Sequence, residues 1–410
     1  MRSLTIVRAN MTMPATQMAP TKTDWRSFFQ LDLLDNRYPY IHGLRVLGII
    51  SVVQIHVSWI LEGEHQIHLN RDFASSSYAV FFGMDLFFIL SGFLIGSILL
   101  HSIATAGSQQ VKRFYIRRIF RTFPSYYFVL AVLALTTTMT AAQRRNLPYE
   151  AAYLTDFLPP GSSDTLMFWG WSLALEEQFY LTVPLLFLGL RYLRSDTQRV
   201  TLLAVMWASA LAVRLGIFIH GAPWTDGELY TNLYFRPHTR FDTLVAGLML
   251  AVVHRRWGAQ IQEWLRAPFH RALLGLPALL CFWFLMRPPT FRLLDRQVRH
   301  VFEWGTVTTI MYFCIILLLL HSDGPIKRAL SVPMFRSIAT LGYGVYLVHM
   351  PICDRYVVPI AEALLGKHVP LAIVWPICLV LVLLFATVTA YVLHIAIEKP
   401  AFRLRAHFSP

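Results

Sequence analysis

The chain has 410 residues, of which 56% are hydrophobic and only 14% charged. A water-soluble domain is typically about a quarter charged, so this composition leaves too little charge to cover a soluble surface. The net charge is +13, but the basic residues sit mostly between apolar runs, which points to membrane topology rather than to nucleic acid.

Residues 1–38 mix Pro, Thr, Asp and Arg without the apolar stretch of a secretory signal. They read as a flexible cytoplasmic arm, with a short interfacial helix around Trp25–Leu34. Ten apolar runs follow, at 43–61, 79–100, 122–142, 168–190, 200–219, 240–254, 272–286, 303–321, 337–362 and 372–397. A bilayer core of ~30 Å needs about 20 helical residues, so an all-α polytopic membrane domain is predicted over 39–405, with a short cytoplasmic tail at 406–410. The sixth and seventh runs are the shortest.

Charged groups inside such runs are costly, and each asks for a partner or a function. The first run, HGLRVLGIISVVQIHVSW, places Arg45 and His56 eleven residues apart. That is close to three helical turns, so both lie on one face about 16 Å apart. A neutral imidazole can take a hydroxyl proton, and a cation at the entrance can hold an anionic or carbonyl group. The alternative is an interhelical hydrogen bond for His56 and a headgroup contact for Arg45.

The second run, FFGMDLFFILSGFLIG, carries Asp85, with Ser91 and Gly92 small enough for close helix contact. The connection KRFYIRRIFRTFPSYY is basic with interleaved aromatics, as a lipid anchor would be. It also suits nucleotide phosphates, and Arg118 and Arg121, three apart, share a face for that role.

In the fourth run, WGWSLALEEQFYLTVP, Glu176 and Glu177 point about 100° apart. Ser172, Glu176 and Tyr180 form a polar stripe along one side, and a carboxylate there can orient His56, neutralise Arg45 or form a structural ion pair. RPHTRFDTLVAG groups His238, Arg240 and Asp242 at the start of the sixth run, either to recognise a polar acceptor or as a salt-bridged cap. His349 in YGVYLVHMPI is a second polar candidate, though a lone membrane histidine is more often structural, and Glu398 in IEKP reads as the close of a helix end. The four cysteines, Cys281, Cys314, Cys353 and Cys378, are packing residues, and the scattered histidines have no metal-ligand spacing.

Lys and Arg fix the expected orientation. With the N-terminus inside, inner segments hold Lys112, Arg113, Arg117, Arg118 and Arg121, then Arg191, Arg194 and Arg199, then Arg255, Arg256, Arg266 and Arg271, then Lys327, Arg328 and Arg336. Outer segments are poorer, apart from the loop near 287–300, so both termini are expected in the cytoplasm.

Taken together and in this order, Arg45 with His56, GMDLFFILSGFLIG, FYIRRIFRTFPSYY, WSLALEEQFYL, HTRFDTLVAG, YGVYLVHMPI and the terminal EKP resemble the integral-membrane acyltransferase-3 family over about residues 38–405. The resemblance implies a ten-helix fold in a bacterial inner membrane. It also implies an acyl-CoA donor, acetyl-CoA by preference, and transfer to a hydroxyl of a polysaccharide, lipid-linked sugar or other carbohydrate. It assigns catalysis to His56 with Arg45 and Glu176, and donor binding to Arg118 and Arg121; no metal is expected, from the scatter of the histidines alone. His238, Arg240 and Asp242 are left as the candidate acceptor contacts. Some members add an extracytoplasmic hydrolase-like domain after the membrane region; ending at Pro410, this chain is expected to leave acceptor handling to the membrane domain or a partner. The competing readings are acylation of a small molecule, lipid or amino sugar and, from another class, a transporter or flippase. The absence of an internal repeat speaks against the last.

Overall fold

The computed structural model describes residues 29–64, 82–106, 108–159, 164–286 and 296–408. Most of the N-terminal arm, Arg71, the start of the run expected from 79 and much of the basic loop near 287–300 lie outside the described residues.

Among the described residues every regular element is helical. The main helices are α1 (Pro39–Trp59), α2 (Gly83–Ala106), α3 (Ser108–Thr136), α4 (Ala141–Ala151), α5 (Trp171–Leu190) and α6 (Asp196–Gly221). They are followed by α7 (Asp242–Trp264), α8 (Pro268–Met286), α9 (Thr308–His321), α10 (Pro333–Ile352), α11 (Leu371–Leu393) and α12 (Lys399–Phe408). Local chemistry marks several starts: Pro39 and Pro333 sit in the first turns of α1 and α10, and Ser195 with Gln198 forms a capping box on α6.

Among the described residues eight helical stretches are long and apolar enough to cross a membrane: Pro39–Glu62, Gly83–Leu100, Gln109–Thr136, Phe168–Leu190, Asp196–Gly221, Pro268–Met286, Gln297–His321 and Leu371–Phe408. The runs expected at 240–254 and 337–362 are not among these eight. They correspond to α7, of 23 residues, and α10, of 20, and both sit inside the bundle rather than at its edge. α7 packs along α2, α6 and α9, while α10 lies between α1 and α11. Neighbours shield these two helices, which leaves them freer to carry polar side chains. α10 stops at Ile352, and a π-helical turn at Cys353–Val357 leads into a separate helix, Val358–Gly366.

Small residues set the closest contact. Gly92 of α2 faces Gly247 of α7, where an added Cβ would lie 2.3 Å from the Ile89 carbonyl oxygen. α1 bridges two apolar bodies. Its first turns, with Tyr40, Ile41 and Leu44, pack with α2, α7 and α9. Its later turns, with Val53, Val57 and Ile60, pack with α3, α10 and α11.

The segment between α3 and α5 turns back onto the bundle. Tyr126 and Tyr127 of α3 donate to the carbonyls of Glu150 and Ala151, each at 2.8 Å. The buried Glu150 carboxylate then accepts the backbone N–H groups of Leu166 at 3.1 Å and Met167 at 2.7 Å. This fixes the chain as it enters Phe168 and Trp169. The end of the expected arm is also held: Leu34 accepts from Arg336 at 2.7 Å, and Gln30 accepts from Lys399 at 2.6 Å. Residues 31–36 carry no regular structure where a short interfacial helix was expected.

Candidate active site

α1, α3 and α5 bring Arg45, Arg118, Arg121, Glu176 and Tyr180 within electrostatic reach of one another. Arg121 is committed: it donates to the Thr340 carbonyl at 3.4 Å, lies 3.7 Å from Glu398 and stacks over Phe402. Arg118 makes no ion pair among the described residues; its guanidinium lies over Tyr180 at 4.8 Å and Phe114 at 5.7 Å. Arg45 has neither a hydrogen bond nor an ion pair there, and the two nearest arginines repel it. Two cations held together without partners form a site for an anion.

From these cations a polar path runs along α5. Tyr180, Glu176 and Ser172 follow one another at four-residue intervals, so they line one face over about 12 Å. Glu176 accepts from the Ser91 hydroxyl of α2 at 2.5 Å. Ser172 shares a 2.5 Å hydrogen bond with the Tyr346 hydroxyl of α10, which also donates to the Trp169 carbonyl at 2.6 Å.

One turn beyond Tyr346 stands His349, and here the path meets His56. The His56 Nδ1 and His349 Nε2 atoms are 2.7 Å apart, with the ring centroids at 5.0 Å and the ring planes 24° apart, so the two imidazoles meet edge to edge and nearly in plane. His349 Nδ1 lies 2.7 Å from the Tyr346 carbonyl. Phe168 stands edge-on to His56 at 6.2 Å, and Trp59, 37% exposed, tilts against Phe168 at 4.8 Å. The Arg45 and His56 spacing thus spans the length of a polar path with a cationic end and an imidazole end.

The HTRFD segment behaves differently. Arg240 and Asp242 are fully buried: Arg240 pairs with Asp85 at 2.9 Å, and Asp242 pairs with Arg214 of α6 at 2.7 Å. Arg214 also donates to the Val301 carbonyl at 3.0 Å and to Thr306 at 2.6 Å. The partners lie on α2 and α6, so Arg240 and Asp242 sit in interhelix ion pairs rather than in a local salt-bridged cap. His238 is exposed and takes part in neither pair. Glu398 does not end a helix, because a π turn at His394–Glu398 carries α11 on into α12. It is a buried hub, accepting from His394 at 2.7 Å and from Ser125 at 3.2 Å.

Sequence reasoning passed over Arg214 and Tyr346. Arg214 interrupts an apolar run, which is the signal that singled out Asp85; Tyr346 carries no charge and had no such signal. Among the described residues no three His, Cys, Asp or Glu side chains gather as a metal ion would need.

The family model described as an acyltransferase domain, Acyl_transf_3, matches residues 38–395. The chain belongs to this family. It is 28% identical over 338 residues to the peptidoglycan O-acetyltransferase OatA of Listeria monocytogenes, covering 77% of this chain and 49% of that protein. It is 26% identical over 344 residues to the putative peptidoglycan O-acetyltransferase YrhL of Bacillus subtilis, with the same coverage of 77% and 49%. A putative O-acetyltransferase of Staphylococcus aureus is 23% identical over 331 residues, covering 77% of this chain and 50% of that protein. The chain therefore spans about half the length of the curated relatives it matches. No solved structure matches it.

Proposed function

We propose that this acyltransferase domain moves an acetyl group from acetyl-CoA, bound at the cytoplasmic face, to a hydroxyl of a cell-envelope polysaccharide such as peptidoglycan. The observation that carries the reading is the polar path itself, with two unpartnered arginines at one end and His56 at the other. Arg45 and Arg118 fit the nucleotide phosphates, which are the only strongly anionic part of such a donor. The pantetheine arm is long and narrow, of the order of the ~16 Å between Arg45 and His56. A thioester supplies an activated acyl carbon and a good leaving group.

The protein's own part is proton transfer and placement. His56 takes the proton of the acceptor hydroxyl as its oxygen forms the new C–O bond, and returns it to the sulfur as the C–S bond breaks. Ester and free thiol are the products. Glu176, held by Ser91, balances the charge of Arg45 and Arg118 beside the path. Trp59 and Phe168 offer ring faces beside His56 on the side away from the arginines, a surface suited to a pyranose. The names of the relatives favour a peptidoglycan acceptor. His238 is proposed as an outlying acceptor contact, on the turn whose following residues Arg240 and Asp242 are anchored by their ion pairs.

The test is release of free thiol by the purified protein from acetyl-CoA, with and without peptidoglycan fragments, beside His56→Ala. Acceptor-dependent release that disappears in the variant supports the reading. Release equal in both proteins, or acceptor transport without thiol release, rejects it.

A further inference from the structure

Resting on that reading, the hydrogen bonds around His56 say which of its ring nitrogens does the work. A backbone carbonyl only accepts, so the 2.7 Å contact between His349 Nδ1 and the Tyr346 oxygen places a proton on His349 Nδ1. His349 is buried and His56 half-buried, neither forms an ion pair among the described residues, and removing an unpaired imidazolium from water is costly. His349 is therefore neutral, and its Nε2 carries a lone pair. The 2.7 Å contact to His56 then requires the proton to lie on His56 Nδ1. The remaining nitrogen of His56, Nε2, is left unprotonated.

We propose that His349 is a positioning residue that locks His56 in the tautomer whose free Nε2 accepts the acceptor's proton. The chain of bonds is Tyr346 carbonyl, His349, His56, and then the acceptor hydroxyl. His349 fills the place that an aspartate takes behind the histidine of serine hydrolases, where presenting the wrong tautomer costs about 10⁴-fold in rate. Here the orienting group is neutral, which suits a buried site without a nearby cation to balance a carboxylate. When His56 becomes doubly protonated, its Nδ1–H bond to His349 strengthens as a charge-assisted hydrogen bond, and the His349 ring shares the charge. The nearly coplanar edge-to-edge contact with His56 and the Nδ1 bond to the Tyr346 carbonyl hold the ring in place.

Two readouts test this in the full-length protein in detergent or nanodiscs. Protein labelled with 15N-histidine, with the His56 resonances identified by their loss in His56→Ala, reports which ring nitrogen bears the proton. The expected state is a protonated Nδ1 and a lone pair on Nε2; in His349→Leu it shifts toward Nε2–H. Acetyl transfer kcat falls by about 10²-fold or more in His349→Leu, with donor KM within about twofold, consistent with loss of general-base function. His349→Gln, whose side-chain carbonyl can accept the same N–H, recovers about tenfold or more. A wild-type Nε2–H tautomer, or a tautomer unchanged in folded His349→Leu, overturns the proposal, as does a Gln variant no faster than Leu. If the tautomer is as stated but no acyl transfer occurs in the wild type, the functional reading falls and the lock stands.

Discussion

Arg118 and Arg121 are three residues apart on α3, yet they have different work. Arg121 is tied to Glu398, Thr340 and Phe402, so its charge is largely spoken for. Arg118 keeps its charge open because an aromatic ring, not a carboxylate, holds it in place. Arg118→Gln should therefore raise the KM for acetyl-CoA by about tenfold, which corresponds to about 1.4 kcal/mol. Arg118→Lys should restore little of it, because an ammonium lacks the planar face that stacks on Tyr180. Steady-state kinetics at fixed acceptor measures this, and a Lys variant equal to wild type would show that charge alone suffices. A carboxyl outside the spans offers a separate reporter at the same scale. Burial pushes Asp156 up to about 6, against the pull of its Gln178 hydrogen bonds and of Arg236. The folded carboxyl thus holds its proton more tightly than the unfolded one. The stability it adds is complete below about pH 4 and is lost as pH rises through about 6. Asp156→Asn should gain on the wild type in unfolding temperature as the pH is raised from 4.5 to 7.5. A difference that does not change over that range would remove Asp156 as the titrating group.

At the scale of helices, the two buried pairs Arg240 with Asp85 and Arg214 with Asp242 join α2 and α6 to α7 and the turn that leads into it. Gly305, in the left-handed region at φ 100°, brings its backbone against the Asp242 carboxylate. Arg214→Met leaves Asp242 buried without its cation and should destabilise by about 3–5 kcal/mol, seen as a loss of folded protein. Adding Asp242→Leu removes the stranded charge, and unfolding of the double variant should recover much of the loss. A double variant no more stable than Arg214→Met would show that the arginine's bonds to Val301, Thr239 and Thr306 matter more than the pair. These helices also show what the sequence could convey. Hydropathy delimits α1, α2, α5 and α6 closely, because each keeps a long apolar run whether neighbours cover it, as over α1 and α2, or not, as over α6. α7 and α10 are less marked, since charged and polar residues dilute their apolar pattern. His56, Arg45 and Glu176 stood out because a charge or imidazole in an apolar run is conspicuous. The pairing of His56 with His349 was not legible, because it joins α1 to α10 across 293 residues of chain. The burial of Arg240 and Asp242 was hidden for the same reason: Arg214 and Asp85 lie on other helices.

The whole molecule poses a question of sides. In the orientation expected from the Lys and Arg of the inner connections, the proposed path has its Arg45 and Arg118 end in the cytoplasm. His56 is then about 16 Å further along the bundle axis, within reach of the opposite face. An enzyme so arranged never needs to move the donor across the membrane, because only the acyl group changes sides. Reconstitution into sealed vesicles tests this directly, with one population of molecules oriented cytoplasm-outward and peptidoglycan fragments enclosed within. Acetyl-CoA added outside should yield free thiol outside and acetylated fragments inside. Fragments supplied only on the outside should remain unmodified by those molecules. Acetylation of fragments on the same side as the donor would mean that both substrates reach His56 from one face, and the polar path would then be a donor pocket alone rather than a route between two compartments.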